Sequence, residues 1–329
     1  MHVSILLFRT AHSVGGLNIF QTIQIKSFTR HPHGIQMEEN AIFMKKNGDI
    51  YMCKKIAGIV IYNPDFKRLR QNISRIAPQV DIVVLQNNGV LNEKEFHNLI
   101  NSYSNVITIG NGNNIGIAAA LNRLAEYALN QGSKWLLTLD QDSVCDNDLI
   151  TVYEKYTEEN IGLITCTITD RNFEYNRDES DFQIRYIDNC ITSGSYIRLS
   201  AWKELCGFDE KMFIDHVDTD YCYRLKLCGW KILQTSYKGL LHEVGSNTKR
   251  KRLFGKDFVV FNHSPFRCYY IVRNQIYFAR KHKSTLGLSK AMRIQRTAWT
   301  RGLVYLLYED NKLKKMVAWV KGILDGYRL

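Results

Sequence analysis

Two carboxylates follow a predicted buried strand in the middle of the chain. Asp140 and Asp142 come directly after the apolar run 134–139. Residues two apart in extended chain point to the same side, so these side chains should converge. Two adjacent negative charges are costly without a cation, and Mg²⁺ or Mn²⁺ is the natural partner. The alternative is a solvated turn in which an aspartate caps the next helix.

A second acidic cluster lies at Asp215, Asp218 and Asp220, where the pattern predicts a helix over 218–229. One interpretation is structural, because carboxylates at a helix start cap it and suit its dipole. The other is chemical, because a carboxylate there could act as a general base toward a hydroxyl. The residues alone leave both open.

Two further signals are weaker. The segment 110–116, rich in Gly and Asn, follows a predicted strand and precedes a predicted helix, where backbone N–H groups could face a diphosphate. A tight turn with an Asn cap explains it equally well. His242 stands alone and is either a hydrogen-bonded structural residue or a third metal ligand.

The elements that must position these residues alternate between strand and helix. Apolar runs predict strands at 56–62, 80–85, 106–109 and 134–139, and helical spacing predicts helices at 69–76, 93–103 and 114–131. This order predicts a mostly parallel sheet covered on both faces, with ligands beyond the carboxyl ends of its strands. The second half is less regular, with strands predicted at 189–199 and from 230, and helices at 202–206 and 269–283.

Charge and cysteine content exclude several classes of protein. Residues 56–280 hold 26 basic and 26 acidic side chains, whereas residues 281–329 hold 11 and 3. A neutral core argues against nucleic-acid binding and places the basic excess in an amphipathic tail. The eight cysteines show no zinc-finger spacing and suggest a reducing cytosol. No apolar run is long enough to span a bilayer, and the first residues make a poor signal peptide.

Residues 1–54 differ from the rest of the chain, because they show no sustained strand or helix period. They are predicted to be an atypical extension, either disordered or upstream of a true start at Met44 or Met52. The predicted domain is 55–280, followed by the helical tail 281–329.

Eight motifs in order resemble bacterial family 2 glycosyltransferases, above all the rhamnosyltransferases of surface polysaccharide synthesis. They are IVIYNPD, VVLQNNG, GNNIGIAAALN, WLLTLDQDS, TSGSYI, GFDEKMFIDHVDTDYCYRL, LLHEVG and HSPFRCYYIVRN, and they cover roughly residues 55–280. The resemblance implies a GT-A fold, a Rossmann-like mixed sheet flanked by helices. It also implies inverting, metal-dependent transfer from a nucleoside diphosphate sugar.

The resemblance also implies a role for each matching residue. Asp140, Asp142 and His242 would hold Mg²⁺ or Mn²⁺, and Asp218 would be the catalytic base, with Asp215 and Asp220 supporting the base or the acceptor. Donor contacts would come from Tyr62, Asn63, Asn87, Asn114, Gly116, Asn122, Asp140, Arg267, Tyr270 and Arg273.

One departure and one loop bear on the donor. The second strand of the family ends in an Asp-Asn-type pair, whereas this chain has Asn87-Asn88, which puts the base preference in doubt. The basic loop 246–256 is predicted either as a lid over the diphosphate or as a solvated loop.

The function predicted from these motifs is transfer of a sugar, rhamnose first, from a TDP- or UDP-linked donor to a glycan or lipid-linked acceptor. The alternatives are transfer of galactofuranose or another hexose, or a non-catalytic nucleotide-sugar-binding protein. The predicted location is the cytoplasm, with the tail 281–329 either on an anionic membrane surface at the inner face or packed on protein.

Overall fold

The structure, a computed structural model, describes residues 4–12, 20–31, 34–46, 49–170, 183–242, 249–253, 256–260 and 262–329, with side chains over 53–169, 183–242, 260 and 262–329. Its strands are β1 Ser4–His12, β2 Phe20–His31, β3 Gly34–Lys46, β4 Asp49–Met52, β5 Ile56–Ile61, β6 Ile82–Asn87, β7 Val106–Ile109, β8 Trp135–Asp140, β9 Val144–Cys145, β10 Ile161–Thr165, β11 Ile168–Asp170, β12 Ile184–Tyr186, β13 Ser195–Arg198, β14 Lys231–Thr235, β15 Leu240–His242, β16 Lys249–Leu253 and β17 Lys256–Val260. Its helices are α1 Phe66–Ile76, α2 Glu93–Ile100, α3 Ile117–Asn130, α4 Leu149–Glu154, α5 Leu199–Glu204, α6 Val217–Leu227, α7 Pro265–Lys281, α8 Lys283–Leu286, α9 Leu288–Tyr308 and α10 Lys312–Arg328.

The central sheet of the described chain has the strand order β12-β14-β10-β13-β8-β5-β6-β7. Strands β8, β5, β6 and β7 pair in parallel, and β10 pairs in parallel with β14. Strand β13 runs antiparallel between β8 and β10, and β12 is antiparallel at the edge. The predicted mixed, mostly parallel sheet is confirmed. The carboxyl ends of β5, β6, β7 and β8 therefore meet at one edge, where ligands bind in such folds.

Apolar side chains cover both faces of the sheet. Ala57, Ile59 and Ile61 of β5 pack in the cluster that includes α1, whereas Ile56 and Val60 pack in the cluster that includes α3. A strand buried on both faces reads as a continuous apolar run, which is why β5 is evident in the sequence. Fully burying each large aliphatic side chain contributes about 1.5–3 kcal/mol.

A small second sheet, β11-β15-β9, adjoins the carboxyl end of β8. Leu241 of β15 pairs antiparallel with Val144 of β9, which lies two residues beyond Asp142. This pairing brings His242, distant in sequence, to the turn that follows β8.

The C-terminal helices pack on α7. Cys268, Val272 and Ile276 of α7 form a third core with Ala298, Tyr305 and Ile323 of α9 and α10. Gly322 and Gly326 allow close approach of α10, since a Cβ at either position would lie 2.7 Å from the carbonyl oxygen of Tyr269 or Arg273. The tail therefore has a face packed on protein, one of the two predicted alternatives.

Some predicted elements differ from the structure. Of the predicted strand 189–199, only the second half forms a strand, β13. The residues before it form a loop, in which Gly194 adopts a φ of 76°. Helix α3 begins at Ile117 instead of Asn114, and α6 begins at Val217. The short strands β9 to β12 were not predicted, since two- to five-residue strands carry little periodic signal.

Residues 4–52 contain β1 to β4, which pair in sequence order as an antiparallel sheet. No regular element was predicted there. A backbone ladder requires no strict alternation of side chains, so the sequence pattern gave no sign of it.

Two observations concern the chain as a whole. The eight cysteines are free thiols. Within the described residues, none of the helices combines the length and apolarity that crossing a membrane requires.

The close approach of α7 and α10 yields a stability prediction. Gly322→Ala should lower the free energy of unfolding by about 1–3 kcal/mol, because its Cβ would meet backbone that cannot move aside. This cost should exceed the roughly 1 kcal/mol that alanine gains in helix propensity. Urea denaturation would measure it, with exposed Leu324→Ala of the same helix as control. Equal stability of Gly322→Ala and the unsubstituted protein would contradict the packing described.

Candidate active site

Asp140, Asp142 and His242 come together at the carboxyl edge of the central sheet. One ligand atom from each lies within 4.8 Å of the others, and Asp140 Oδ2 is 4.0 Å from His242 Nδ1. Asp140 ends β8, Asp142 lies in the following turn, and His242 ends β15. Two carboxylates and one imidazole form a donor set that suits Mn²⁺ and, through its oxygens, Mg²⁺.

The backbone of Asp140 is held from both sides. Its N–H donates to Ser193 Oγ at 2.9 Å, and its carbonyl accepts from the Asn72 side-chain amide at 2.7 Å. Asn72 and Ser193 are both buried. The first aspartate of the pair is therefore fixed by α1 on one side and by the loop before β13 on the other.

Two buried serines connect this backbone to His242. Ser143 Oγ lies 2.8 Å from Ser193 Oγ and 2.8 Å from His242 Nδ1. A hydrogen bond to one ring nitrogen fixes the orientation and tautomer of a ligating histidine. Ser143 and Ser193 thus position both ends of the metal-binding cluster.

The pKa of Asp140 is raised to about 6. The main cause is desolvation, because protein surrounds the carboxylate in the cleft. The side chain still has 47% of its surface exposed. His242 and Arg267 lower this pKa, whereas the negative charges of Asp142 and Asp218 raise it. An unfavourable concentration of negative charge is the condition that a bound divalent cation would relieve.

Asp218 lies in the first turn of α6, where the helix dipole favours a carboxylate. Its Oδ1 accepts from the Thr219 N–H at 2.8 Å. Burial raises the pKa of this carboxyl. A partly buried carboxylate with a raised pKa is suited to accept a proton from a hydroxyl.

The loop before α6 is strained. Phe213, Asp215 and His216 have φ values of 57°, 65° and 64°, in the left-handed region. Each such residue costs on the order of 1–3 kcal/mol and persists only where the surroundings hold it. Asn274 of α7 supplies that restraint, because its side-chain amide donates to the carbonyls of Met212, Ile214 and Asp215.

The first half of α7 holds the same loop through side chains. Arg267 forms a two-point ion pair with Asp215, at 2.7 and 3.4 Å. Tyr270 stacks on Phe213 with ring centroids 5.1 Å apart. Arg273 donates to the carbonyls of Lys211 and Met212 and lies over the Tyr270 ring. Arg273 was predicted to contact the donor, and the structure instead commits it to the loop.

Asp220 was predicted to support the acceptor or the base. Its carboxylate is fully buried. It accepts hydrogen bonds from Arg224, Lys281 and His282 at 2.7–2.8 Å. Burial alone would raise the pKa of Asp220, but His282, Arg224 and Lys281 outweigh it and hold that pKa well below its usual range. Asp220 therefore ties α6 to the end of α7.

Hydrogen bonds link the end of β5 to the turns that follow β8 and β6. Gln141 accepts from the Tyr62 N–H at 2.8 Å and donates to the Tyr62 carbonyl at 3.2 Å. Asn87 accepts from the Gly89 N–H at 2.9 Å, and the Asn63 N–H donates to the Gly89 carbonyl. The exposed Tyr62 ring and the amides of Asn63 and Asn87 thus border one edge of the cleft.

The segment before α3 supports the turn interpretation. Asn114 Oδ1 accepts from the Gly116 N–H at 3.0 Å, which makes a local turn. Gly116 has a φ of 83°, and a Cβ there would lie 2.6 Å from the Phe213 ring. The Ile117 N–H donates to the Phe213 carbonyl at 2.6 Å, so it is not available to a diphosphate. The glycine lets the start of α3 contact the loop before α6 directly.

Asn122 also requires a correction. It was predicted to contact the donor, but both amide donors and both acceptor positions are used within the protein. Its amide donates to Phe208 and Glu210, and its oxygen accepts from Trp202 and the Phe208 backbone. A side-chain amide offers four such bonds, so Asn122 is saturated.

The predicted lid 246–256 falls partly outside the described residues. Residues 246–248 and 254–255 are not described, and for 249–253 only the backbone is, which pairs antiparallel with 256–260.

Sequence reasoning missed Asn72, Gln141, Ser143 and Ser193. Gln141 and Ser143 lie within the quoted motif around Asp140 and Asp142, and Ser193 within the TSGS segment. The hydrogen bond between the Ser143 and Ser193 hydroxyls joins two segments that are distant in sequence. The sequence carries no sign of such a contact, because it forms only when the fold brings the segments together.

The serine contact yields a second prediction. Ser143→Ala should weaken Mn²⁺ binding by about 10–100-fold, because His242 loses the partner that orients it. Electron paramagnetic resonance of free Mn²⁺ would measure the affinity. Ser74→Ala is the matched control, since Ser74 is exposed and bonds only within its own helix among the described contacts. Unchanged Mn²⁺ affinity in Ser143→Ala would rule out this role.

Comparison with known proteins agrees with this architecture. The chain is 27% identical over 301 residues to the dTDP-rhamnosyl transferase RfbF of Shigella flexneri, covering 86% of this chain and 96% of that protein. The crystal structure of S. aureus TarS 1-349 superposes with a TM-score of 0.55 at 15% identity, over 83% of this chain and 80% of that chain. The mannosyltransferase PcManGT from Pyrobaculum calidifontis, in complex with GDP-Man and Mn²⁺, superposes with a TM-score of 0.52 at 11% identity, over 84% and 87%.

The structural likenesses are to glycosyltransferases of the GT-A fold and show that this chain has the same fold. The model of the family described as glycosyl transferase family 2 matches residues 57–222, just over half of the chain. The chain belongs to glycosyl transferase family 2 and is a glycosyltransferase.

Proposed function

We propose that this protein transfers rhamnose from a TDP-linked donor to a hydroxyl of a growing surface glycan, with inversion at the sugar carbon. The observation that carries the proposal is the convergence of Asp140, Asp142 and His242 beside the charges of Asp218 and Arg267. The likeness to a dTDP-rhamnosyl transferase over nearly the whole chain supports the donor.

Asp140, Asp142 and His242 would hold Mg²⁺ or Mn²⁺. The fit rests on the donor set, two carboxylates and one imidazole whose ligand atoms lie within 4.8 Å of one another. When bound, the cation stabilises the charge that develops on the leaving diphosphate. Arg267, partly exposed at the start of α7, adds positive charge to the same cleft.

Asp218 would act as the general base. It takes the proton of the acceptor hydroxyl while the oxygen forms a bond to the sugar C1, and the bond from C1 to the diphosphate oxygen breaks. The leaving nucleoside diphosphate keeps the electron pair. Asp215 forms an ion pair with Arg267. This pair supports Asp218, because it holds the loop that precedes α6. Asp220 supports it from the other end, through α7.

The nucleoside would lie at the edge bordered by Tyr62, Asn63 and Asn87. Tyr62 is half exposed and offers a ring face for stacking on a base. Asn87 can both donate to and accept from a pyrimidine edge, which is compatible with TDP or UDP. A UDP-linked hexose is therefore the alternative donor, and a protein that binds a nucleotide sugar without turnover is the alternative function.

The catalytic unit would be residues 55–280, with 1–54 as an extension and 281–329 as an accessory tail. A lipid-linked or free glycan is the acceptor class, and no nucleic acid is involved. We place the enzyme in the cytoplasm, peripheral at the inner face of the membrane, where a lipid-linked acceptor would be found.

The base assignment gives a direct test. Asp218→Asn should reduce TDP release from TDP-rhamnose in the presence of acceptor by about 10²–10⁴-fold, because the amide cannot take the proton. Calorimetric TDP affinity in the presence of Mn²⁺ should stay unchanged. Asp188→Asn is the control, since that carboxylate is 85% exposed. Normal turnover in Asp218→Asn would refute the assignment, and absence of turnover in every form would favour the binding-protein alternative.

A further inference from the structure

The helices α9 and α10 expose an apolar surface on the side away from α7. On α10, Leu313, Val317, Val320 and Leu324 are spaced at i, i+4, i+7 and i+11, which places them on one stripe. Leu313 is 84% exposed and Val317 is 70% exposed. On α9, Leu303 is 61% exposed within a similar stripe. Contacts inside the protein use Gly322, Ile323 and Gly326 instead, so these stripes have no partner among the described residues.

The two stripes adjoin. The Trp299 indole N–H of α9 lies 3.4 Å from the Tyr327 hydroxyl of α10, and Trp299 packs edge-on against Trp319. Trp299 and Tyr327 are themselves 47% and 40% exposed. The exposed side chains of α9 and α10 therefore form one surface, here termed the α9–α10 apolar face: Trp299, Leu303, Leu307, Leu313, Val317 and Leu324. A patch of this kind marks an interaction site.

Cations border this face. Arg293, Arg296, Lys314, Lys321 and Arg328 are all exposed. Among the acidic side chains of the segment, Glu309 pairs with buried Lys315, and Asp325 accepts from Tyr269 and pairs with Arg328 at 3.2 Å. The net charge of residues 281–329 is +8. An anionic partner would thus meet both an apolar centre and a positive border.

A cavity next to the face has the same character. Its volume is about 740 Å³, and it is lined by Arg280, Lys283, Leu288, Met292 and Tyr327. Tyr327 also belongs to the exposed side of α10. Cationic and apolar groups in one cavity suit a molecule with an anionic head and a hydrocarbon part.

Of the available partners, an anionic lipid surface fits best. A second copy of this chain would bring two borders of the same charge together, which opposes association. A nucleic acid would leave the apolar centre without a partner, because such interfaces are polar. Lipid satisfies both features, since apolar side chains enter the acyl boundary while lysine and arginine contact anionic headgroups.

We infer that the α9–α10 apolar face binds an anionic lipid surface and holds the enzyme there. Helix α7 lies between this face and the active site, because its backbone contacts Gly322 and Gly326 while its Arg267 and Asn274 hold the loop before Asp218. Resting on the proposed function, this arrangement would keep the cleft beside the membrane that carries a lipid-linked acceptor.

The test is co-sedimentation of the full chain with vesicles. Phosphatidylcholine mixed with phosphatidylglycerol at roughly 3:1 supplies the anionic surface, and phosphatidylcholine alone supplies the neutral one. The protein should sediment with the anionic vesicles, less with neutral ones, and less at high salt. The double variant Leu313→Asp, Val317→Asp should lose at least about tenfold in vesicle affinity, since both side chains would leave hydrocarbon.

Two controls make the result specific. Leu91→Asp changes a leucine that is 88% exposed on another part of the protein and should sediment normally. Lys314→Glu with Lys321→Glu should weaken binding to anionic vesicles while keeping the apolar stripe. Melting curves and TDP binding of each variant show that the fold and donor site survive, so failure here is distinguishable from failure of the proposed transfer.

Three outcomes would overturn the inference. The first is absence of vesicle binding by the folded protein. The second is equal binding by the Leu313→Asp, Val317→Asp variant. The third is a dimer, seen by light scattering, that the same variant dissolves, which would assign the face to a second copy of the chain.

Discussion

Mutual repulsion between two carboxylates at the end of one buried strand is the constraint on which the site depends. Asp140 ends β8 and Asp142 lies close to it in the turn that follows, and their charge is unfavourable unless a cation or a proton compensates it. Burial is the main cause of the raised pKa of Asp140, and the negative charges of Asp142 and Asp218 raise it further. The surrounding structure keeps Asp140 in place, because Asn72 and Ser193 grip its backbone.

The second half of the site is held by a different device. The loop 213–216 adopts left-handed backbone at three non-glycine residues, and Asn274, Arg267 and Tyr270 of α7 hold it there. The same loop contacts the start of α3 through Gly116 and Ile117. A single strained segment thus joins the start of α3 to α6, the helix whose first turn carries Asp218. The hydrogen bonds of Asp220 to Lys281 and His282 hold α6 against the end of α7. Helix α7 also packs on α9 and α10, so it connects the site with those helices.

Much of this arrangement could be predicted from the sequence, for identifiable reasons. Strands such as β5 and β8 are buried on both faces and appear as continuous apolar runs, and the polar residues at their ends follow from the parallel order. His242 could be grouped with Asp140 and Asp142 because the motifs follow the same order as in family 2 glycosyltransferases. The errors concern partners. Asn122 and Arg273 look like ligand-binding residues in a linear motif, but their hydrogen bonds are used by carbonyls and amides from distant segments. Ser143 and Ser193 were missed because their meeting depends on the pairing of β13 with β8.

The central claim is that the carboxylate pair creates a metal-dependent site for a nucleoside diphosphate. The most direct measurement is the melting temperature of the purified protein with TDP, UDP, GDP and CDP, each with Mn²⁺ or with a chelator, for the unsubstituted chain and for Asp142→Ala. A ligand that binds only the folded protein raises that temperature by mass action. The account predicts a rise with TDP, or with UDP in the alternative, that needs Mn²⁺ and is lost in Asp142→Ala. A rise of the same size with chelator, or one that Asp142→Ala retains, would contradict it.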